Sequence, residues 1–122
     1  MTRVRIGILG AGAMGTAHAA AYAGINDANV IGVFSRNPAH ARAAAAICKA
    51  EPFTDPDVLM ASVDAIDVCL PSTIHHEFVV PALAAGKHVF CETPLALELD
   101  RARQMRDSTV PICEPVTAAM AR

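Results

Sequence analysis

The sequence predicts an α/β fold, a doubly wound parallel sheet in a single domain. Three observations carry this. Short apolar, β-rich runs alternate with helical patterns along nearly the whole chain, which implies parallel βαβ units with right-handed crossovers. The central runs are almost unbroken in apolar character, as expected of strands covered on both faces. The first run passes directly into Gly10-Ala11-Gly12-Ala13-Met14-Gly15, a turn of the kind that joins a strand to a helix beside a bound pyrophosphate.

The first strand is expected at Arg3–Leu9, with Val4, Ile6, Ile8 and Leu9 as its apolar residues. In the turn, Gly10 lets the backbone reverse, Gly12 lets a pyrophosphate approach without meeting a Cβ, and Gly15 lets helix and strand pack closely. The alanine-rich helix Met14–Ala23 follows. Its first turn offers unpaired N–H groups and roughly +0.5 of an elementary charge to a phosphate. The same glycine spacing also occurs in plain flexible loops, and it is the strand before and the helix after that favour phosphate binding, with Ala13 and Met14 in the same turn.

A second strand, Asn29–Ser35, leads into helix Pro38–Lys49, which opens with proline where a missing N–H costs nothing. A short third strand around Pro52–Thr54 precedes a short helix capped by Asp55 and opened by Pro56. The fourth strand, Ala65–Leu70, is followed by helix His76–Ala85, closed at Gly86. The fifth, His88–Cys91, precedes the amphipathic helix Leu97–Asp107. Val110–Cys113 is the candidate for a sixth strand, so residues 1–107 read as the binding domain and 108–122 as that strand with a short tail. The expected strand order is 3-2-1-4-5, with a ligand crevice at the carboxyl ends of strands 1 and 4.

A length of 122 residues suits one domain with a real core. Acidic and basic residues are interspersed and the net charge is −2, which leaves no nucleic-acid footprint and no membrane-binding patch. No apolar run approaches a membrane span, and Met-Thr-Arg leads straight into the first strand, so no signal peptide is expected. Cysteines 48, 69, 91 and 113 lack the close pairs of a zinc site, so no metal is expected. One cysteine per βα unit reads instead as a small buried hydrophobe in a reducing, cytoplasmic compartment.

Three segments along the crevice carry a family resemblance: Gly10–Gly15 with His18 beyond it, Pro71-Ser72-Thr73-Ile74-His75, and Ala85-Gly86-Lys87-His88-Val89-Phe90-Cys91-Glu92-Thr93-Pro94-Leu95-Ala96. Together they resemble the N-terminal domain of the glucose-fructose oxidoreductase, inositol dehydrogenase and rhizopine-catabolism (Gfo/Idh/MocA) family. The third segment is the most specific. The resemblance spans about residues 3–107 and implies a Rossmann fold. It further implies an NAD(P)-dependent oxidoreductase that moves hydride to or from a sugar- or polyol-like carbon. By the same resemblance Gly10, Gly12 and Gly15 hold the pyrophosphate, Pro71, Ser72 and Thr73 line the path to the nicotinamide, and His75 and Glu92 sit near its ribose.

The residues themselves leave alternatives open. His18 reads first as a packing or capping residue. Ser72 and Thr73 could instead cap the helix that starts near His75. Glu92, directly after a buried strand end, reads as a site residue rather than a surface charge.

Two features depart from the family. The motif's lysine, which the resemblance would place at the reacting carbon, is Thr93, a hydroxyl without charge or useful acidity. That leaves Thr93 and His75 as the catalytic candidates on this chain. Family members also continue into a substrate domain that this sequence lacks, so little turnover is expected of these 122 residues. A non-catalytic NAD(P)-binding module is the rival reading; a flavin or methyl-transfer site fits less well, because it gives Glu92 and Pro94 no role.

Two further expectations concern partners. Strand 2 ends Val33-Phe34-Ser35-Arg36-Asn37, so the carboxylate that would bind a ribose 2′-hydroxyl is replaced by Ser35 and Arg36, favouring NADP over NAD. Val110, Pro111, Ile112, Val116, Ala118, Ala119 and Met120 would face water unless covered, which predicts a homo-oligomer.

Overall fold

The computed structural model describes residues 3–108. Five parallel strands form one sheet: β1 (Val4–Leu9), β2 (Ala28–Phe34), β3 (Glu51–Phe53), β4 (Ala65–Val68) and β5 (His88–Cys91), in the order β3-β2-β1-β4-β5. The helices between and after them are α1 (Ala13–Ala23), α2 (Pro38–Cys48), α3 (Pro56–Ala61), α4 (His75–Ala84) and α5 (Leu99–Asp107), with a single 3-10 turn at Ser72–Ile74. The doubly wound α/β fold and its strand order agree with the sequence reading.

Strand alternation divides the core into two layers. Ile6 and Ile8 of β1 face one side and pack with Ala19 of α1, Ala44 and Ala45 of α2, and Val30 and Val33 of β2. Leu9 turns to the other side, where Leu59, Ile66, Val68, Val79, Leu83 and Met105 form the second cluster. Small residues dominate the first layer, which lets α1 and α2 lie close to the sheet.

Element ends moved for local reasons. Helix α2 starts as expected: the Asn37 side chain accepts from the Ala39 N–H at 3.0 Å ahead of Pro38. It ends at Cys48 because Lys49 takes the left-handed conformation, φ 57°. Asp55 caps α3 through the Asp57 N–H at 2.9 Å. Strand β2 stops at Phe34, one residue early, and the Ser35 Oγ then accepts the Asn37 N–H at 3.1 Å to begin the entry to α2. Strand β4 stops at Val68 rather than Leu70, and Pro71 leads directly into the 3-10 turn. Helix α5 starts at Leu99 rather than Leu97, because Glu98 is extended. The expected sixth strand at Val110–Cys113, the tail 108–122 beyond Ser108, Cys113 and the apolar residues expected to drive self-association lie outside the described residues.

Candidate functional site

The sheet order reverses between β1 and β4, so their carboxyl ends open a crevice where the two following loops diverge. On the β1 side, Gly10 has φ +108°, and a Cβ there would come within 2.7 Å of the Cys69 carbonyl oxygen. Gly15 is closed as well, since a Cβ on it would collide with the Gly10 carbonyl. Both glycines are therefore demanded by the fold.

Gly12 is different. Its φ of −79° suits any residue, and nothing lies within 4 Å of where a Cβ would stand. It is the N-cap of α1 and supplies no side-chain cap. Gly12, Ala13 and Met14 are exposed, while Gly15 is buried beneath them. The first N–H groups of α1 thus open to solvent across a residue with no side chain, at the positive end of the helix dipole. This is a cradle for a phosphate, and a Cβ at position 12 would fill it.

At the end of β2, Ser35 is half-buried and Arg36 exposed. Arg36 makes no hydrogen bond or ion pair to another described residue.

On the β4 side, Pro71 and Thr73 are exposed and Ser72 is half-buried. Neither hydroxyl caps a helix: Pro71 precedes the 3-10 turn, Ile74 precedes α4, and neither end has a side-chain cap. The capping alternative for Ser72 and Thr73 is thereby corrected. The His75 ring is buried at 1% exposure. Its Nε2 lies 2.6 Å from the Leu70 carbonyl oxygen, and its Nδ1 lies 3.0 Å from that of Leu95 and 3.2 Å from the Cys91 Sγ. His75 therefore ties the loop after β4 to the loop after β5. Thr93 is exposed in that second loop, and the Thr93–Pro94 peptide is cis.

Between the two sides lies a polar cluster that corrects the reading of His18. Its ring neither caps a helix nor packs in a purely apolar setting: Nδ1 lies 2.6 Å from Asp67 Oδ2 and Nε2 lies 2.8 Å from Glu92 Oε1. The Phe90 ring meets it edge-on, with centroids 5.7 Å apart. Tyr22, one helical turn after His18, donates its hydroxyl to the same Asp67 oxygen at 2.8 Å. The Cys69 thiol donates to Asp67 Oδ1 at 3.4 Å.

Asp67 stands opposite Ile8 of β1 and Phe90 of β5, so strand alternation aims it at the α1 side of the sheet. It is 1% exposed. Burial, and then the Asp67 charge, push the Tyr22 hydroxyl and the Cys69 thiol well above their ordinary ranges. The Cys91 thiol is pushed up to about 12, first by burial and then by the Asp67 and Glu92 charges. These thiols are more than small hydrophobes, since two of them take part in the hydrogen bonding of the site.

His18 Nδ1, an Asp67 oxygen and the Cys69 Sγ all lie within 4.8 Å of one another, near enough to share a cation. The same atoms already satisfy one another as hydrogen-bond partners, which accounts for the cluster without an ion.

Sequence reasoning missed Asp67 and Tyr22. Asp67 had a legible signal, as the lone charge within the apolar run Ala65–Leu70. A carboxylate in a strand covered on both faces needs donors, and His18 and Tyr22 at helical spacing are such donors.

With this geometry in hand, a match over residues 4–110 to the family model described as "Oxidoreductase family, NAD-binding Rossmann fold" is decisive. The chain belongs to the Gfo/Idh/MocA family. It is 35% identical over 104 residues to the glucose-6-phosphate 3-dehydrogenase of Bacillus subtilis, covering 85% of this chain and 30% of that protein. It is 39% identical over 101 residues to the inositol 2-dehydrogenase of Rhizobium meliloti, covering 82% and 31%. Among solved structures it resembles the WlbA dehydrogenase from Bordetella pertussis in complex with NADH and UDP-GlcNAcA, with TM-score 0.80 and 28% identity, covering 87% of this chain and 34% of that one. The chain spans about a third of the length of these Gfo/Idh/MocA relatives. The described part is thus the family's NAD-binding Rossmann domain, and no described helix is long and apolar enough to cross a membrane.

Proposed function

We propose that the chain binds a nicotinamide dinucleotide for an oxidoreductase that moves hydride to or from a sugar- or cyclitol-like carbon. The observation that carries this reading is Gly12, a glycine the fold does not require, placed where a Cβ would block the open end of α1. In this reading Gly10, Gly12, Ala13, Met14 and Gly15 surround the pyrophosphate. Pro71, Ser72, Thr73 and Glu92 line the way to the nicotinamide and its ribose. His75 acts from beneath, by fixing the carbonyls of Leu70 and Leu95 and with them the two loops.

When bound, the dinucleotide supplies the nicotinamide carbon that gives or takes the hydride. The chain's own residues bind and orient it. Thr93 can hydrogen-bond but has no acidity of use near neutral pH, so proton transfer at the substrate is assigned to groups beyond residues 1–107, in a substrate domain. The activities named for the Bacillus subtilis and Rhizobium meliloti relatives support a sugar or cyclitol as substrate. Titrating the purified chain with reduced dinucleotide, followed by cofactor fluorescence, tests the reading: saturable binding supports it and its absence removes it.

Thr93 also favours a second reading, a non-catalytic module that keeps the dinucleotide for stability or sensing. Turnover with a sugar or polyol when a substrate domain is joined to the chain separates the two.

The preferred cofactor in this account is NADP. Arg36, exposed and without a partner among the described residues, is available to a 2′-phosphate at the end of β2. Cys48, Cys69 and Cys91 are free thiols, which supports a reducing, cytoplasmic compartment. A homo-oligomer belongs to this reading through the apolar residues Val110, Pro111, Ile112, Val116, Ala118, Ala119 and Met120 of the sequence.

A further inference from the structure

We propose that Asp67, His18 and Tyr22 are positioning residues for Glu92: hydrogen bonds to the buried Asp67 hold the His18 ring, whose Nε2, in ion-pair contact with Glu92 Oε1, aims that carboxylate at the nicotinamide half of the dinucleotide. The inference rests on the dinucleotide-binding reading and adds to it the device that holds one of its contacts.

Asp67 is the one carboxylate in the interior of the sheet among the described residues. A carboxylate at 1% exposure in a sheet otherwise packed with Ile and Val is expensive to bury, and an apolar residue of similar size would serve stability as well or better. What the carboxylate adds is direction. Oδ2 takes the His18 Nδ1 at 2.6 Å and the Tyr22 hydroxyl at 2.8 Å, while Oδ1 takes the Cys69 thiol at 3.4 Å.

These contacts leave the His18 ring one orientation. Nδ1 is held below by Asp67, Phe90 packs against the ring in a T-shaped contact, and Nε2 is turned outward to Glu92 Oε1 at 2.8 Å. Exposure rises outward along these contacts, from 1% at Asp67 to 18% for the His18 side chain and 25% for that of Glu92. The anchored end is therefore inside and the working end at the surface of the crevice.

Glu92 follows β5 directly, and its backbone N–H bonds the Val68 carbonyl at 3.1 Å, which fixes its Cα against the end of β4. With Oε1 held by His18, Oε2 has no partner among the described residues and stays available to accept from a ligand hydroxyl. A carboxylate fixed at both its backbone and one oxygen loses little freedom when it binds. The arrangement follows the logic by which outer hydrogen-bond partners orient groups that touch a ligand.

Two probes test this on the full chain. NADH reports the whole dinucleotide, and ADP reports only the half that meets the glycine turn. In His18→Ala, NADH should bind about tenfold more weakly, the scale of one hydrogen bond to a charged group, while ADP binding stays within about twofold. Glu92→Gln should show the same selective loss, and the double variant should lose little more than either single one. Tyr22→Phe keeps the ring volume and removes one bond to Asp67, so it should fold and show a smaller loss confined to NADH.

Equal weakening of NADH and ADP in these variants would make the cluster a structural support only and overturn the inference. Unchanged NADH binding in Tyr22→Phe and Glu92→Gln would overturn it as well. If the wild-type chain binds neither probe and does not bind NADPH either, the dinucleotide-binding reading itself fails and takes this inference with it.

Discussion

Gly15 lies directly beneath the Gly10 carbonyl, so close that no side-chain carbon fits between them. This contact closes β1 onto α1 and sets the angle at which the helix leaves the sheet. Gly15→Ala should therefore be strongly destabilising. Overpacking of this kind costs about 1–3 kcal/mol where neighbours can move, and here the neighbour is backbone, so the upper end or beyond is expected. Urea denaturation monitored by circular dichroism measures it, and a wild-type midpoint would show that the turn relaxes freely.

Arg36 governs the choice between cofactors in this account. Arg36→Ala should weaken NADPH binding by about 10- to 100-fold, the scale of charge-assisted hydrogen bonds, and leave NADH nearly unchanged. Parallel titrations of both cofactors check this. Equal affinities in the wild type would remove the preference.

Asp64 should titrate well below an ordinary carboxylate. The Arg5 side chain bonds it at 2.9 Å and the Arg5 backbone N–H at 3.0 Å, which together hold its carboxyl at about 2. Because the folded value lies below the unfolded one of about 3.9, the stabilisation is complete above about pH 4 and is lost as pH falls through about 2. Carbon-detected NMR of the carboxyl reads the midpoint directly. Arg5→Ala should move it up only part of the way, since the backbone donor remains.

The thiols should be slow to react. With Cys91 pushed up to about 12, its thiolate at pH 8 is roughly a thousandfold scarcer than that of an ordinary cysteine. Cys69 is pushed in the same direction by burial and by Asp67. Iodoacetamide labelling at pH 8 with mass spectrometry should modify both far more slowly in the native chain than after unfolding. Equal rates would mean that the site opens readily.

The sheet was legible in the sequence because its signals are local and repeated: apolar runs, proline and Asx starts, and a glycine turn at a strand-to-helix junction. All five described strands and their order follow from these. Strand and helix ends were harder, because they depend on single contacts such as the Ser35 Oγ with the Asn37 N–H. The polar cluster was the least legible part. His18 and Asp67 are 49 residues apart and meet only because β4 lies next to β1 and turns residue 67 toward α1. No local pattern around His18 announces that partner, and an alanine-rich helix suggests packing instead. His75 presents the converse case: a motif position points to a ligand contact, while its ring is buried and spent on two backbone carbonyls.

The most direct test of the central claim is a fluorescence titration of wild-type chain and Gly12→Val with NADPH and NADH. Because nothing lies within 4 Å of a Cβ at position 12, the variant should keep the wild-type circular dichroism spectrum and lose dinucleotide binding, its side chain standing where the pyrophosphate would meet the first N–H groups of α1. A folded Gly12→Val chain that binds either cofactor as tightly as wild type would contradict the account, and would leave Gly10–Gly15 as a turn without a ligand.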